Sequence, residues 1–165
     1  MLDARNVTAI VVTYNRLPLL KQCLAALRAQ TVQGFTVLLV DNASTDGTAD
    51  YIKTLAMPGL VCRNPGENLG GAGGFAYGIR AAVELGCEAV WIMDDDTLPE
   101  PDALAALLAA GVRLRLLAGI GSGLCALRLL LCGVDVLRSG LPCGVQFAHR
   151  GVDGSHVGVL VRLFQ

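Results

Sequence analysis

Three adjacent carboxylates, Asp94-Asp95-Asp96, follow directly on the apolar run AVWIM at 89–93. Three like charges in a row repel one another, and a hard divalent cation relieves that repulsion, carboxylates and substrate phosphates being its preferred ligands. In an extended segment alternate side chains share a side, so Asp94 and Asp96 can share one metal while Asp95 points away, toward a ligand hydroxyl. On the triplet alone, a solvated acidic turn leading into a capped helix fits equally well. Two further groups tip the balance toward metal. Asn68-Leu69-Gly70-Gly71-Ala72-Gly73-Gly74 places four glycines in five residues ahead of a helical stretch, where backbone N–H groups approach a phosphate closely. It is neither a P-loop nor a GxGxxG after the first strand, and seen alone a flexible turn explains it as well. Asp41-Asn42 ends an apolar run as an acidic nucleoside contact does, and Tyr14 is an aromatic able to stack on a base or ribose, although an ordinary packed tyrosine is the commoner case.

The elements that must position these groups alternate. TAIVVT at 8–13 and FTVLLV at 35–40 are continuous, β-branched apolar runs, the mark of strands buried on both faces. Residues 60–62 form a weak third strand and 89–93 a fourth. Between them, Pro18 opens a helix whose apolar face is Leu20, Leu24 and Leu27, Ser44-Thr45-Asp46 caps a second helix through Leu55, and Phe75–Leu85 is a third, closed by Gly86. A fourth spans Asp102–Ala110. The order βαβαβαβα predicts an α/β fold with a parallel sheet, and ligands of such sheets lie outside the carboxyl ends of the strands. Tyr14-Asn15-Arg16, Asp41-Asn42 and the acidic triplet each follow a strand end, so three separated clusters are expected on one edge.

Composition bounds the rest. The 165 residues carry a net charge of −1, which argues against nucleic acid or anionic membrane as an electrostatically driven partner. The greasiest stretch, 104–137, is interrupted by Arg113, Arg115 and Arg128, leaving no uncharged run of roughly 18 residues. The first apolar run, Ala9–Val12, is too short for a signal peptide, and the chain reads as cytosolic. Six cysteines include no CxxC pair and read as reduced, buried thiols. The halves differ: residues 1–110 hold 12 acids against 7 bases, residues 111–165 hold 2 against 6, all six of them Arg. Gly, Leu, Val and Arg make up 36 of the last 55 residues. That vocabulary is expected of a GC-rich gene read out of frame; a partner-facing tail with a Leu114–Leu131 stripe is the competing reading, against which its glycines weigh. His149 and His156, confined to this tail, are read as coincidental.

VVTYNR at 11–16, the LLKQCLAAL…Q run at 19–30, VLLVDNASTDGT at 37–48, NLGGAGGFAYG at 68–78 and WIMDDDTLP at 91–99 together resemble the family-2 glycosyltransferases of the GT-A fold, and within them the galactofuranosyltransferase and rhamnosyltransferase-like branch. The resemblance spans about residues 7–110. It implies a Rossmann-like parallel-sheet half that binds a nucleotide sugar, with 111–165 an atypical continuation. By position it implies that Thr13, Tyr14, Asn15 and Arg16 surround the nucleobase, that Asp41 contacts the base with Asn42 beside it, and that Asn68, Gly70 and Gly71 approach the donor. Asp94 and Asp96 would hold Mn²⁺ or Mg²⁺, with Asp95 at the donor sugar. The implied reaction is inverting transfer of galactofuranose or rhamnose from a UDP- or dTDP-sugar to a glycan or lipid-linked acceptor of the cell wall or surface. The implied location is cytoplasmic, at the inner face of the membrane. The family's general base lies in the second half of the fold. Past Asp102 the only acids are Asp135 and Asp153, neither in a recognisable motif, so no base is assigned. A catalytically inactive nucleotide-binding or interaction protein of the same descent is the alternative. A nucleotidyltransferase is disfavoured because TYNR lacks the glycine- and lysine-rich signature expected near the first strand.

Overall fold

The structure, a computed structural model, describes residues 2–109 and the backbone of four short strands beyond them. Strands β1 (Val7–Thr13), β2 (Thr36–Asp41), β3 (Leu60–Arg63) and β4 (Ala89–Asp94) alternate with helices α1 (Leu17–Arg28), α2 (Thr48–Thr54) and α3 (Gly70–Glu84), and α4 (Ala103–Ala109) follows. The four strands pair in parallel in the order β3-β2-β1-β4. The remaining strands are β5 (Leu127–Leu129), β6 (Val134–Val136), β7 (Val145–Ala148) and β8 (Val159–Leu163). β8 pairs antiparallel with β4, β7 with β8, and β5 with β6. The expected α/β alternation and parallel sheet are therefore present. The Leu114–Leu131 stripe, apart from the β5 backbone, lies outside the described residues, as do His149, His156 and Asp153.

β1 is buried at every position, as its unbroken apolar run requires. Its two faces feed two cores. Val7, Ala9 and Val11 pack with Leu20, Cys23, Leu24 and Leu27 of α1 and with Leu104 and Leu107 of α4, while Ile10 and Val12 pack with Phe75, Ile79 and Ala82 of α3. Each fully buried leucine contributes about 1.5–3 kcal/mol of apolar transfer. Helices on opposite faces follow from the strand order. The chain steps from β1 outward to β2 and β3, then returns across the sheet to place β4 on the far side of β1.

Two helix starts refine the sequence reading. α2 begins at Thr48; of the three expected caps, Ser44 and Thr45 bond to neighbouring loops, while Asp46 Oδ1 accepts the Thr48 N–H at 3.2 Å and the Thr48 hydroxyl at 2.6 Å, at the helix start. α3 begins at Gly70, not Phe75, so the glycine run is the first turn of a helix rather than a loop ahead of one. Close packing is the reason. A Cβ on Gly74 would lie 2.7 Å from Val12 Cγ1 and 2.9 Å from Asn42 Nδ2. Gln30, at the end of α1, staples the segment that follows the acidic triplet: its Nε2 donates to the Glu100 carbonyl at 2.8 Å and its Oε1 accepts the Leu104 N–H at 3.0 Å, capping α4.

Candidate functional site

Parallel pairing brings the polar strand ends level. Val12 is opposite Asp94 on one side of β1, and Thr13 is opposite Asp41 on the other. The three clusters thus meet on one edge, as expected, across the β1–β4 boundary where the strand order reverses. Among open sheets of this class that boundary is where ligands bind.

Burial alternates through the acidic segment. Asp94 and Asp96 are exposed and Asp95 is buried, although the strand ends at Asp94. Asp95 Oδ2 accepts the Thr13 hydroxyl at 2.7 Å, and Oδ1 lies 3.5 Å from Arg16 Nη1. The same Arg16 nitrogen is 3.5 Å from Asp96 Oδ2. Burial, and then the charges of Asp96 and Asp95, push the Asp94 carboxyl above its ordinary range. Burial likewise raises Asp95 against the pull of Thr13 and Arg16. Beneath the triplet, the buried Cys23 thiol faces the Asp94 carbonyl at 3.9 Å, and desolvation followed by the three carboxylates pushes it up to about 12, leaving it inert.

The loops after β1 and β2 are bonded to each other. Asn15, at φ 53°, accepts the Thr45 N–H on Oδ1 at 2.7 Å and donates its own N–H to Ser44 Oγ at 3.0 Å. Asp46 Oδ2 accepts the Leu17 N–H at 2.9 Å. Asp41, 4% exposed, is held on both oxygens: Oδ1 accepts the Ser44 N–H at 3.0 Å and Oδ2 accepts Asn64 Nδ2 at 3.3 Å. Asn64 was not anticipated from sequence. Its position directly after β3 was the available signal, a fourth polar strand end beside the other three.

Asn42 is 2% exposed and serves the scaffold: its Nδ2 donates to the Gly70 carbonyl at 3.1 Å, under the first turn of α3. Asn68 Oδ1 accepts the Gly70 N–H at 2.8 Å. Gly70 has φ 69° and Gly71 has open space where a Cβ would stand, so the rim of this turn is uncovered. Of the twelve residues singled out from sequence, Thr13, Asp41, Asn42 and Asp95 are buried and form the floor. Tyr14, Asn15, Arg16, Asn68, Gly70, Gly71, Asp94 and Asp96 are exposed around it.

Among the described residues, no three His, Cys, Asp or Glu side chains form a metal cage. The donor set is instead two exposed carboxylates, three acids standing against the single Arg16 cation. That fits Mg²⁺ or Mn²⁺, which bind through one or two carboxylates and complete their shell with water and substrate phosphates. No helix among the described residues is long and apolar enough to cross a membrane.

Residues 8–115 match the family model for glycosyl transferase family 2. The galactofuranosyltransferase GlfT1 of Mycolicibacterium smegmatis is 31% identical over 127 residues, covering 77% of this chain and 42% of that protein. The undecaprenyl-phosphate mannosyltransferase of Micrococcus luteus is 36% identical over 109 residues, 64% of this chain and 44% of that protein. The chain thus spans less than half the length of these relatives. Among solved structures, the mannosyltransferase PcManGT of Pyrobaculum calidifontis, in complex with GDP-Man and Mn²⁺, superposes with a TM-score of 0.53 at 31% identity, over 66% of this chain and 33% of that one.

Proposed function

The chain belongs to glycosyl transferase family 2 and has the GT-A fold, and from that premise we propose that residues 1–110 bind a nucleotide-sugar donor at the carboxyl edge of β1, β2 and β4. The carrying observation is the level meeting of Thr13, Asp41 and Asp94 with two outward carboxylates beside them. Tyr14, 44% exposed, offers a face to the base, and Asp41, held by Ser44 and Asn64, keeps lone pairs for a base N–H. Asn15 and Arg16 complete this side, and Asn68, Gly70 and Gly71 present the rim of α3 to the donor. Asp94 and Asp96 would hold Mn²⁺ or Mg²⁺. When bound, the cation neutralises charge on the leaving nucleoside diphosphate.

The reaction we infer is inverting transfer of galactofuranose or rhamnose from a UDP- or dTDP-sugar. Likeness to GlfT1 favours galactofuranose, and likeness to the undecaprenyl-phosphate mannosyltransferase of Micrococcus luteus supports a lipid-linked acceptor, which would place the reaction at the inner membrane face. A carboxylate base deprotonating the acceptor hydroxyl is required, and residues 1–110 show no motif for it. We read 111–165 as an out-of-frame continuation of the gene, which translation of the other two frames past residue 110 tests. A second reading is a nucleotide-binding or interaction protein without turnover: Asp135 and Asp153, the acids of residues 111–165, sit in no recognisable motif.

Calorimetric titration of UDP, with and without Mn²⁺, tests the donor site. Mn²⁺-dependent binding that disappears in Asp94→Asn/Asp96→Asn supports it, and no binding to folded wild type refutes it. Bound UDP-sugar that is never transferred to any acceptor selects the second reading.

A further inference from the structure

We propose that Asp95 is a positioning residue, a latch that fastens the loop after β1 to the acidic turn after β4 and leaves Asp94 and Asp96 alone to meet a cation. The purpose of the latch rests on the donor-site reading; its geometry does not. Asp95 is 3% exposed and Thr13 is 1% exposed. The Thr13 hydroxyl donates to Asp95 Oδ2 at 2.7 Å, and Arg16 Nη1 stands 3.5 Å from Oδ1. Both partners come from one four-residue stretch, 13–16, and each faces a different carboxylate oxygen. This differs from the sequence expectation, which left Asp95 for a ligand hydroxyl.

Only an aspartate serves here. One oxygen accepts the Thr13 hydroxyl while the other faces the Arg16 guanidinium, and hydrogen bonds to an ionised acceptor are about twice as strong as neutral ones. An asparagine would turn an NH₂ toward one of those donors. The latch also sets Arg16. Its Nη1 is shared between Asp95 and Asp96, 3.5 Å from each, so the buried carboxylate holds a cationic group beside the exposed one. Tyr14, between the two anchoring residues, is thereby fixed at the mouth of the site.

The test uses the full chain as Thr13→Val, Thr13→Ser and Asp95→Asn, with amide hydrogen exchange measured without ligand, Mn²⁺ binding followed by paramagnetic resonance, and UDP titrated in Mn²⁺. Thr13→Val and Asp95→Asn should accelerate exchange at residues 14–16 about tenfold, the scale of a lost bond to a charged group. Exchange in the centre of β1 should stay as in wild type, and Thr13→Ser should restore protection. UDP affinity should fall in step with that loosening, while binding of Mn²⁺ alone stays close to wild type in Thr13→Val and falls less in Asp95→Asn than in Asp94→Asn, since both ligands remain. Unchanged exchange in Thr13→Val overturns the latch even where Asp95→Asn does not fold. Loss of Mn²⁺ in Asp95→Asn equal to that in Asp94→Asn also overturns it, making Asp95 a ligand. A wild type that takes up no UDP refutes the donor reading alone, because the exchange arm still decides the latch.

Discussion

Gly78 of α3 lies so close to Ile10 of β1 that a Cβ on the glycine would stand 2.7 Å from Ile10 Cγ2, and 3.2 Å from Val40 Cγ2 on β2. Both neighbours are stiff, β-branched and fully buried, so neither yields easily. The helix that carries Asn68 and Gly70 at its mouth is therefore seated at a depth that glycine alone permits.

Gly78→Ala is expected to cost roughly 1–3 kcal/mol by overpacking, despite alanine's better helix propensity. Gly71→Ala, which meets nothing within 4 Å, should instead gain up to about 1 kcal/mol. Urea midpoints at unchanged slope measure both. Equal shifts in the two variants would show that propensity, not contact, governs this helix.

Asn64 should matter to nucleotide binding more than to folding. It is exposed and donates to the Asp41 carboxylate at 3.3 Å. Asn64→Ala is expected to weaken UDP binding roughly three- to tenfold by freeing Asp41 Oδ2. Its thermal midpoint should stay near wild type, as for most surface substitutions. A wild-type dissociation constant in this variant would remove Asn64 from the site.

The triplet predicts an opposition between stability and cation binding. Burial first, then Asp96 and Asp95, raise the folded-state pKa of Asp94 above its unfolded value. The folded state consequently holds the proton more tightly. Stability from this group is fully present below the unfolded pKa and is lost as pH rises through the raised folded pKa. Asp94→Asn imitates the protonated form, so at about pH 7 it should stabilise the cation-free protein by roughly 0.5 kcal/mol, the scale of a like-charge contact near the surface. The same variant should lose Mn²⁺. In wild type, Mn²⁺ affinity should begin to fall, on acidification, above the ordinary carboxylate range. Thermal melts across that window, with and without Mn²⁺, check the sign; a destabilised Asp94→Asn contradicts it.

Sequence carried the strands well because burial on both faces leaves no room for polar residues, and TAIVVT and FTVLLV have none but threonine. It also carried the alternation that turns Asp95 inward. It did not carry the start of α3, because five residues holding four glycines oppose a helix locally, and only contact with Val12, Asn42, Ile10 and Val40 overrides that. Nor did it carry the fate of Ser44 and Thr45, whose hydroxyls are engaged by Asn15 from the loop after β1, leaving Asp46 alone of the three to bond the first residue of α2. Asn64 escaped notice because β3 is short and half-buried, so its end was hard to place. Thr13 and Asp95 stand 82 residues apart, and no local pattern reports a bond at that separation.

The placement of β4 on the far side of β1 makes that pairing the one of greatest sequence separation in the parallel sheet. β1, β2 and β3 are made in succession and pair as neighbours, whereas the second edge of β1 waits for a strand that ends at Asp94. Contacts this distant in sequence are slow to form, since the intervening loop must close first. Only the β1–β4 pairing sets the acidic pair beside the Tyr14 loop and Asp41. In the proposed donor site, a nucleotide bound across β1 and β4 would hold together the strand pairing of greatest sequence separation in the parallel sheet.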